Sequence, residues 1–338
     1  MTDVAVIGAG SWGTAFAAVL ARKGVETMLW ARRADCAEEI NAVHRNDGYL
    51  PSIELPPTLR ATSDLEHAVA DAPVVVLGIP SHCFREKCAE LAPLLARDAT
   101  LVSLTKGIEK DTLKRMSEVA AEAADVPLDR VAVVSGPNLA REVARGLPGA
   151  TVVACTDGER ADALQRLFHA PTFRVYTNAD LCGVEIGGAT KNVVAIAAGV
   201  ADGFGYGENA LSALVTRGLV EITRLGVRSG ASPLTFVGLA GVGDLVATCL
   251  SKQSRNHQVG ERLAAGESLD HIIESMNMVA EGVKSCAGIL QLAARAGVDM
   301  PIASRVGRVL YEGADVREMV DDLLTRAPEP EFMGIVQG

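Results

Sequence analysis

Aromatic residues are scarce in this chain: two Trp, four Tyr and seven Phe make up 4% of 338 residues. Its core must therefore be packed from Ala, Val, Leu and Ile, and hydrophobic residues at 49% of the chain are typical of a globular protein. Excess positive charge is also absent. With 32 Lys and Arg against 42 Asp and Glu, the formal net charge is −10. That excludes a general nucleic-acid binder, which needs a basic face to release counterions. A small anionic ligand is compatible only where cations are concentrated locally. The seven cysteines, at 36, 83, 88, 155, 182, 249 and 286, are odd in number and form no CxxC pair. Neither a disulfide framework nor zinc is expected, and they serve as small apolar side chains. No apolar run approaches the roughly 18 residues of a membrane span. The start, MTDVAVIGAG, enters a strand without the basic region of a leader. These absences predict a soluble, cytoplasmic protein with no nucleic-acid partner and no stable membrane insertion.

At roughly 100–200 residues per domain, the length predicts two domains. Short apolar runs alternate with amphipathic segments in the first half. Strands are expected at Val4–Ile7, Val25–Trp30, Val74–Ile79, Leu101–Leu104, Val131–Val134, Ala150–Cys155 and Arg174–Tyr176. A helix over Ser11–Lys23 places Trp12, Phe16, Val19 and Leu20 on one face and stops at Gly24. This alternation implies a doubly wound parallel sheet with helices on both faces. Beyond residue 177 no convincing strand remains. Residues 178–201 form a long run of small and apolar side chains, and 211–225 is helical, with Gly226 as its stop. Pro301 opens another helix, and Val316, Met319, Val320, Leu323 and Leu324 form a helical stripe. The expected domains are 1–177 and 178–326, followed by a tail over 327–338.

Gly8-Ala9-Gly10-Ser11-Trp12-Gly13 fits GxGxxG between a strand and an amphipathic helix, with a second strand after it. Gly8 allows the tight turn, Gly10 lets the backbone meet a pyrophosphate, and Gly13 lets helix and strand approach. The second strand ends Trp30-Ala31-Arg32-Arg33, without the carboxylate that holds a ribose 2′-hydroxyl. Two guanidiniums suit a 2′-phosphate, so NADPH is favoured and NADH is the weaker alternative. His82, in the loop after Val74–Leu77, reads as a surface histidine rather than an acid.

Polar residues gather elsewhere against apolar surroundings. Lys106 follows Val102-Ser103-Leu104-Thr105 at a strand end. Gly136 and Asn138 occupy another strand-end loop, and Lys191 is embedded in Gly187-Gly188-Ala189-Thr190-Lys191-Asn192. Desolvation of such a lysine lowers its pKa towards a catalytic range. In Gly238–Asp244, a helix after Asp244 would put Asp244 and Thr248 on one face. Ser254-Arg255-Asn256 follows, where Arg255 could grip a phosphate.

Together these residues resemble the bacterial type of NAD(P)-dependent glycerol-3-phosphate dehydrogenase, over about residues 3–326. The resemblance is carried by GAGSWGTA, Tyr49-Leu50-Pro51, Pro80-Ser81-His82, Thr105-Lys106-Gly107, Ser135-Gly136-Pro137, the Gly187–Asn192 segment, GLAGVGDLVATC with Ser254-Arg255-Asn256, and Glu281-Gly282. It implies reversible reduction of dihydroxyacetone phosphate to sn-glycerol 3-phosphate, supplying glycerophospholipid synthesis. It also implies a Rossmann domain, an all-helical domain of the 6-phosphogluconate dehydrogenase type, and a homodimer. By this resemblance Lys191 is the general acid/base. Lys106, Gly136, Asn138, Lys191, Asn192, Asp244, Thr248, Ser254, Arg255 and Asn256 surround the substrate. Gly8, Gly10, Ser11, Trp12, Gly13, Arg32, Arg33, Tyr49, Lys106, Ala140, Arg255, Val279 and Glu281 surround the cofactor. No metal is required. The family commonly has Ser or Thr where this chain has Asn138. Two other readings stay open here: a dehydrogenase of similar organisation acting on a 3-hydroxy acid or related carboxylate, and a non-enzymatic NADPH sensor.

Overall fold

The computed structural model describes residues 2–276, 280–324 and 330–331. The chain divides into two compact units. One comprises residues up to Thr105 together with Met116–Leu181, and the other comprises Lys106–Arg115 with the chain from Cys182 onward. The expected single cut after 177 thus differs from the physical division. Residues 106–115 leave the strand-bearing unit and fold with the helical one, because Ile108 is buried in the helical core and Leu113 packs against it.

The first unit is built on β1 (Val4–Ile7), β2 (Thr27–Trp30), β3 (Arg60–Thr62), β4 (Val74–Leu77), β5 (Thr100–Ser103), β6 (Val131–Ser135), β7 (Gly149–Cys155) and β8 (Phe173–Asn178). Their order across one sheet is β3-β2-β1-β4-β5-β6-β7-β8. Alternate residues enter separate cores. Val4, Val6, Val74, Val76 and Val102 pack into one, while Ala5, Ile7, Val75, Leu77 and Leu101 pack into the other. Both faces are therefore covered, which is why these strands read as unbroken apolar runs. Three of the seven phenylalanines are spent in the first core. The ring of Phe16 lies 5.0 Å from Phe168 and 6.3 Å from Phe173, both edge-on.

Two features correct the sequence reading of the sheet. It is not wholly parallel, since β7 runs antiparallel to β6 while β8 is parallel to β7. The only α-helix between β6 and β7 is the five-residue Ala140–Ala144. At 1.5 Å per residue it rises only about 7 Å, too little to carry the chain back along a strand. The second is the short edge strand β3, whose three residues carry no usable alternation in the sequence. The helix Ser11–Lys23 has the expected bounds, and Gly24 ends it at φ 87.

Among the described residues after Asn178 there are no strands. The helix Leu181–Gly203 corrects the expectation about membrane spans. It is long and apolar enough to cross a membrane by length and composition, but 94% of its apolar window is buried inside the protein. The helix Gly207–Arg228 runs through Gly226 instead of stopping there. An added Cβ at Gly226 would lie 2.1 Å from Phe236 Cζ, so this glycine serves close packing, not termination. Of the expected tail, only Pro330 and Glu331 are described, and Arg217 Nη1 donates to the Glu331 carbonyl at 2.7 Å.

Glu221 is a buried carboxyl that caps a helix other than its own. The backbone N–H groups of Ile302 and Ala303, at the start of Pro301–Glu312, donate to its two oxygens at 2.7 and 3.3 Å. Burial pushes its pKa up to about 7, against the lowering effect of those N–H donors. A raised carboxyl pKa means that the folded chain holds this proton more tightly than the unfolded chain. The resulting stability is present in full below the ordinary carboxyl range and is lost as pH rises towards 7. Glu221→Gln is expected to shrink the difference in melting temperature between pH 5 and pH 8. Equal differences in melts of the two proteins would contradict this.

Candidate functional site

The strand-bearing unit shapes a turn at the end of β1. Gly8 has φ 116, where an added Cβ would meet Gly78 O at 2.6 Å, and a Cβ on Gly13 would lie 2.0 Å from Gly8 O. Gly10 differs: a Cβ there meets nothing within 4 Å. Of these three glycines Gly10 alone faces open space, at the N-terminus of Ser11–Lys23, where the helix N–H groups favour an anion. Ser11 Oγ donates to the Tyr49 carbonyl at 2.9 Å, joining two of the expected cofactor residues. Trp12 packs edge-on to Phe16 at 5.8 Å. Arg32 and Arg33 are exposed after β2, and Arg33 Nε lies 3.4 Å from Asp35 Oδ1. Open space at a helix N-terminus, with two arginines after β2, fits a dinucleotide.

After β6 lie Gly136 and Asn138, with Ala140 opening the short helix. An added Cβ on Gly136 would come within 3.0 Å of Thr151 Cα. Asn138 Nδ2 donates to Thr151 Oγ1 at 2.8 Å, and Thr151 Oγ1 donates to the Ser135 carbonyl at 3.1 Å. The asparagine side chain is thus tied to β7. His82 is exposed in the turn Ser81–Cys83.

The helical unit collects the charged residues. Lys191 lies within Leu181–Gly203, and Asp244 begins Asp244–Leu250 directly after the π-helical turn Leu239–Gly243. Lys191 Nζ donates to Asp244 Oδ1 in a very short contact and to Thr248 Oγ1 at 2.6 Å. Thr248 Oγ1 in turn donates to the Asp244 carbonyl at 2.7 Å, one helical turn back as the spacing predicts. Lys106 Nζ donates to the other Asp244 oxygen, Oδ2, at 2.5 Å. One carboxylate, itself 1% exposed, therefore holds two ammonium groups. Lys191 is 6% exposed, and burial lowers its pKa to about 7. The Asp244 charge opposes that shift and the Lys106 charge adds to it. Of the three N–H donors of Lys191, two are engaged by Asp244 and Thr248, which leaves one for another acceptor.

Next to this group, amides interlock three helices. Asn256 Nδ2 donates to Asn192 Oδ1 at 3.0 Å, and Asn256 Oδ1 accepts from Gly282 N at 2.9 Å. Ser254 caps Arg255–Ala264 by accepting from His257 N at 3.3 Å. Arg255 is exposed at the first position of that helix. Val279 lies outside the described residues.

The ion pair of Arg115 with Glu185, 3.0 Å apart with Glu185 buried, and the hold of buried Asn46 on Ala9 and Thr14 have no local sequence pattern, because these partners are distant along the chain. Asp202, His257 and Glu261 bring three potential metal-binding atoms within 4.8 Å. Lys252 Nζ lies 3.7 and 3.5 Å from the two carboxylates and supplies a counter-charge there.

Family models described as the N-terminus and C-terminus of NAD-dependent glycerol-3-phosphate dehydrogenase match residues 3–161 and 180–321. Glycerol-3-phosphate dehydrogenase (NAD(P)+) of Streptomyces griseus is 52% identical over 327 residues, 97% of each chain. The same-named protein of Corynebacterium aurimucosum is 52% identical over 332 residues, covering 98% of this chain and all of its own. A crystal structure of glycerol-3-phosphate dehydrogenase from Coxiella burnetii superposes with a TM-score of 0.90 at 39% identity, covering 96% of this chain and 98% of that one. With both halves matched in order and relatives at this identity along the whole length, the chain belongs to the NAD-dependent glycerol-3-phosphate dehydrogenase family.

Proposed function

We propose that this chain catalyses the reversible reduction of dihydroxyacetone phosphate to sn-glycerol 3-phosphate with NADPH or NADH, feeding glycerophospholipid synthesis. The observation that carries the reading is the buried ammonium of Lys191, held by Asp244 and Thr248 with one donor left and a pKa brought near neutrality. Such a group can give up a proton at physiological pH and take it back in the reverse direction.

Bound reduced nicotinamide supplies the hydride. Lys191 donates a proton to the ketone oxygen of the substrate as that oxygen becomes a hydroxyl. Lys106 adds positive potential where negative charge grows on oxygen. Asp244 holds both lysines in register. Arg255 takes the phosphate, with Asn256 beside it, so binding energy remote from the ketone orients the reacting carbon. In this reading the strand-bearing unit binds cofactor, and the helical unit, which includes Lys106, binds substrate. Family membership supports a cytoplasmic homodimer, which light scattering can test.

Following nicotinamide absorbance with dihydroxyacetone phosphate and each reduced cofactor in turn tests the activity. Oxidation of neither cofactor would refute it, and faster turnover of a 3-keto acid would favour the carboxylate reading. Arg32→Ala is expected to raise the KM for NADPH by about tenfold, the scale of losing a charge-assisted hydrogen bond, while sparing NADH. Equal losses with both cofactors would remove Arg32 from the 2′-phosphate.

A further inference from the structure

We infer that Asn46 is a positioning residue for cofactor binding, acting through the Ala9 peptide to aim the Gly10 N–H at the pyrophosphate. The inference rests on the reading of Gly8–Gly13 as the dinucleotide turn.

Asn46 stands in the segment between the helix Ala34–Val43 and β3, 37 residues from Ala9, and is 1% exposed. Its partners determine how the carboxamide is oriented. The Ala9 carbonyl can only accept, so the group 2.9 Å from it must be the Nδ2 amine. The second hydrogen of Nδ2 goes to Thr14 Oγ1 at 2.8 Å. The opposite end, Oδ1, accepts from the Cys36 thiol at 3.7 Å. The backbone completes the clamp. The Asn46 carbonyl accepts from Tyr49 N at 3.1 Å and Leu50 N at 2.7 Å, and Ser11 Oγ donates to the Tyr49 carbonyl. Residues 46–49 thus grip the turn at Ala9, Ser11 and Thr14.

The consequence follows from peptide geometry. Ala9 C=O and Gly10 N–H belong to one planar trans unit and point in opposite directions. Drawing the carbonyl towards Asn46 turns the N–H the other way and takes a carbonyl oxygen away from the anion. Without that hold, the unit can rotate and present oxygen to a diphosphate, which repels it.

Asn46→Leu keeps the side-chain size and removes its hydrogen bonds. It is expected to raise the dissociation constant, read by nicotinamide fluorescence, and the KM by about tenfold for NADPH and NADH alike. Turnover at saturating cofactor should stay within about twofold, and the preference between cofactors should not change. Should Asn46→Leu not fold, Asn46→Ser, too short to span to Ala9, should show the same pattern. Thr14→Val loses one of the same buried hydrogen bonds but leaves Ala9 held, so it should lower the melting temperature without weakening cofactor binding. If the Asn46 variants behave like Thr14→Val, or lose affinity for one cofactor only, the inference is overturned. Gly10→Val separates this from the underlying reading: its side chain enters space empty of protein. If Gly10→Val binds both cofactors normally, the turn is not the cofactor site. If it fails to bind while Asn46→Leu binds normally, only the role of Asn46 is wrong.

Discussion

Lys191→Met should lower turnover in both directions by about a hundredfold or more, the scale of losing a general acid/base, while leaving cofactor binding intact. The side chain is nearly isosteric and apolar, so the buried position remains filled. Asp244 then keeps Lys106 as its partner, which limits the cost of an uncompensated buried carboxylate. The pH dependence gives the sharper test. Burial lowers the Lys191 pKa to about 7. Reduction of the ketone needs the ammonium, so its rate should be flat below about pH 7 and fall as pH rises beyond it. Oxidation of the alcohol needs the neutral amine, so its rate should climb towards pH 7 and then level off. The two profiles should bend near the same pH in opposite senses. Lys106→Met removes a like charge that depresses the Lys191 pKa. Whatever it costs in substrate affinity, it should move both bends upward. A bend that does not move would show that the two lysines are not coupled through Asp244, and normal turnover of Lys191→Met would end the assignment.

How much of this was legible beforehand depended on how local each cause is. The helix Ser11–Lys23 was readable because its period, its glycine stop and its preceding strand all lie within a few residues. The direction of β7 was not, because alternation reports burial and says nothing about the partner strand. Gly226 misled for a related reason. A glycine at the end of an apolar stripe reads as a stop, yet it is there because Phe236 occupies the space of its side chain. Among the polar residues, a lysine embedded in small residues correctly suggested burial for Lys191. The spacing of Asp244 and Thr248 showed their common face. That Lys106 would share Asp244 with Lys191 depends on a partner 138 residues away and on a short excursion that leaves the sheet unit. Asn192 and Asn256, expected beside substrate, also join helices to one another, a role invisible in residue type alone.

Arg255→Ala should reduce kcat/KM for dihydroxyacetone phosphate by about a hundredfold or more, in keeping with removal of a charge-assisted contact to a phosphate. Its effect on unphosphorylated dihydroxyacetone should be small. The contrast between substrates isolates the phosphate, because a general disturbance of the site would lower both. Arg255 is exposed at the first position of its helix, and the cap there comes from Ser254, so truncating Arg255 leaves that cap in place. The Glu281 charge, which favours the Arg255 cation, would then add repulsion at the phosphate position. Arg255→Lys should recover only part of the loss, since an ammonium meets a phosphate as a point charge, without the two-pronged geometry of a guanidinium. If remote binding energy serves orientation as well as affinity, turnover should fall along with a rise in KM, because a loosely held phosphate lets the ketone drift from Lys191. A change in KM alone would mean that the phosphate grip anchors the substrate without aligning it. Parallel losses for the phosphorylated and unphosphorylated ketones would place the phosphate elsewhere.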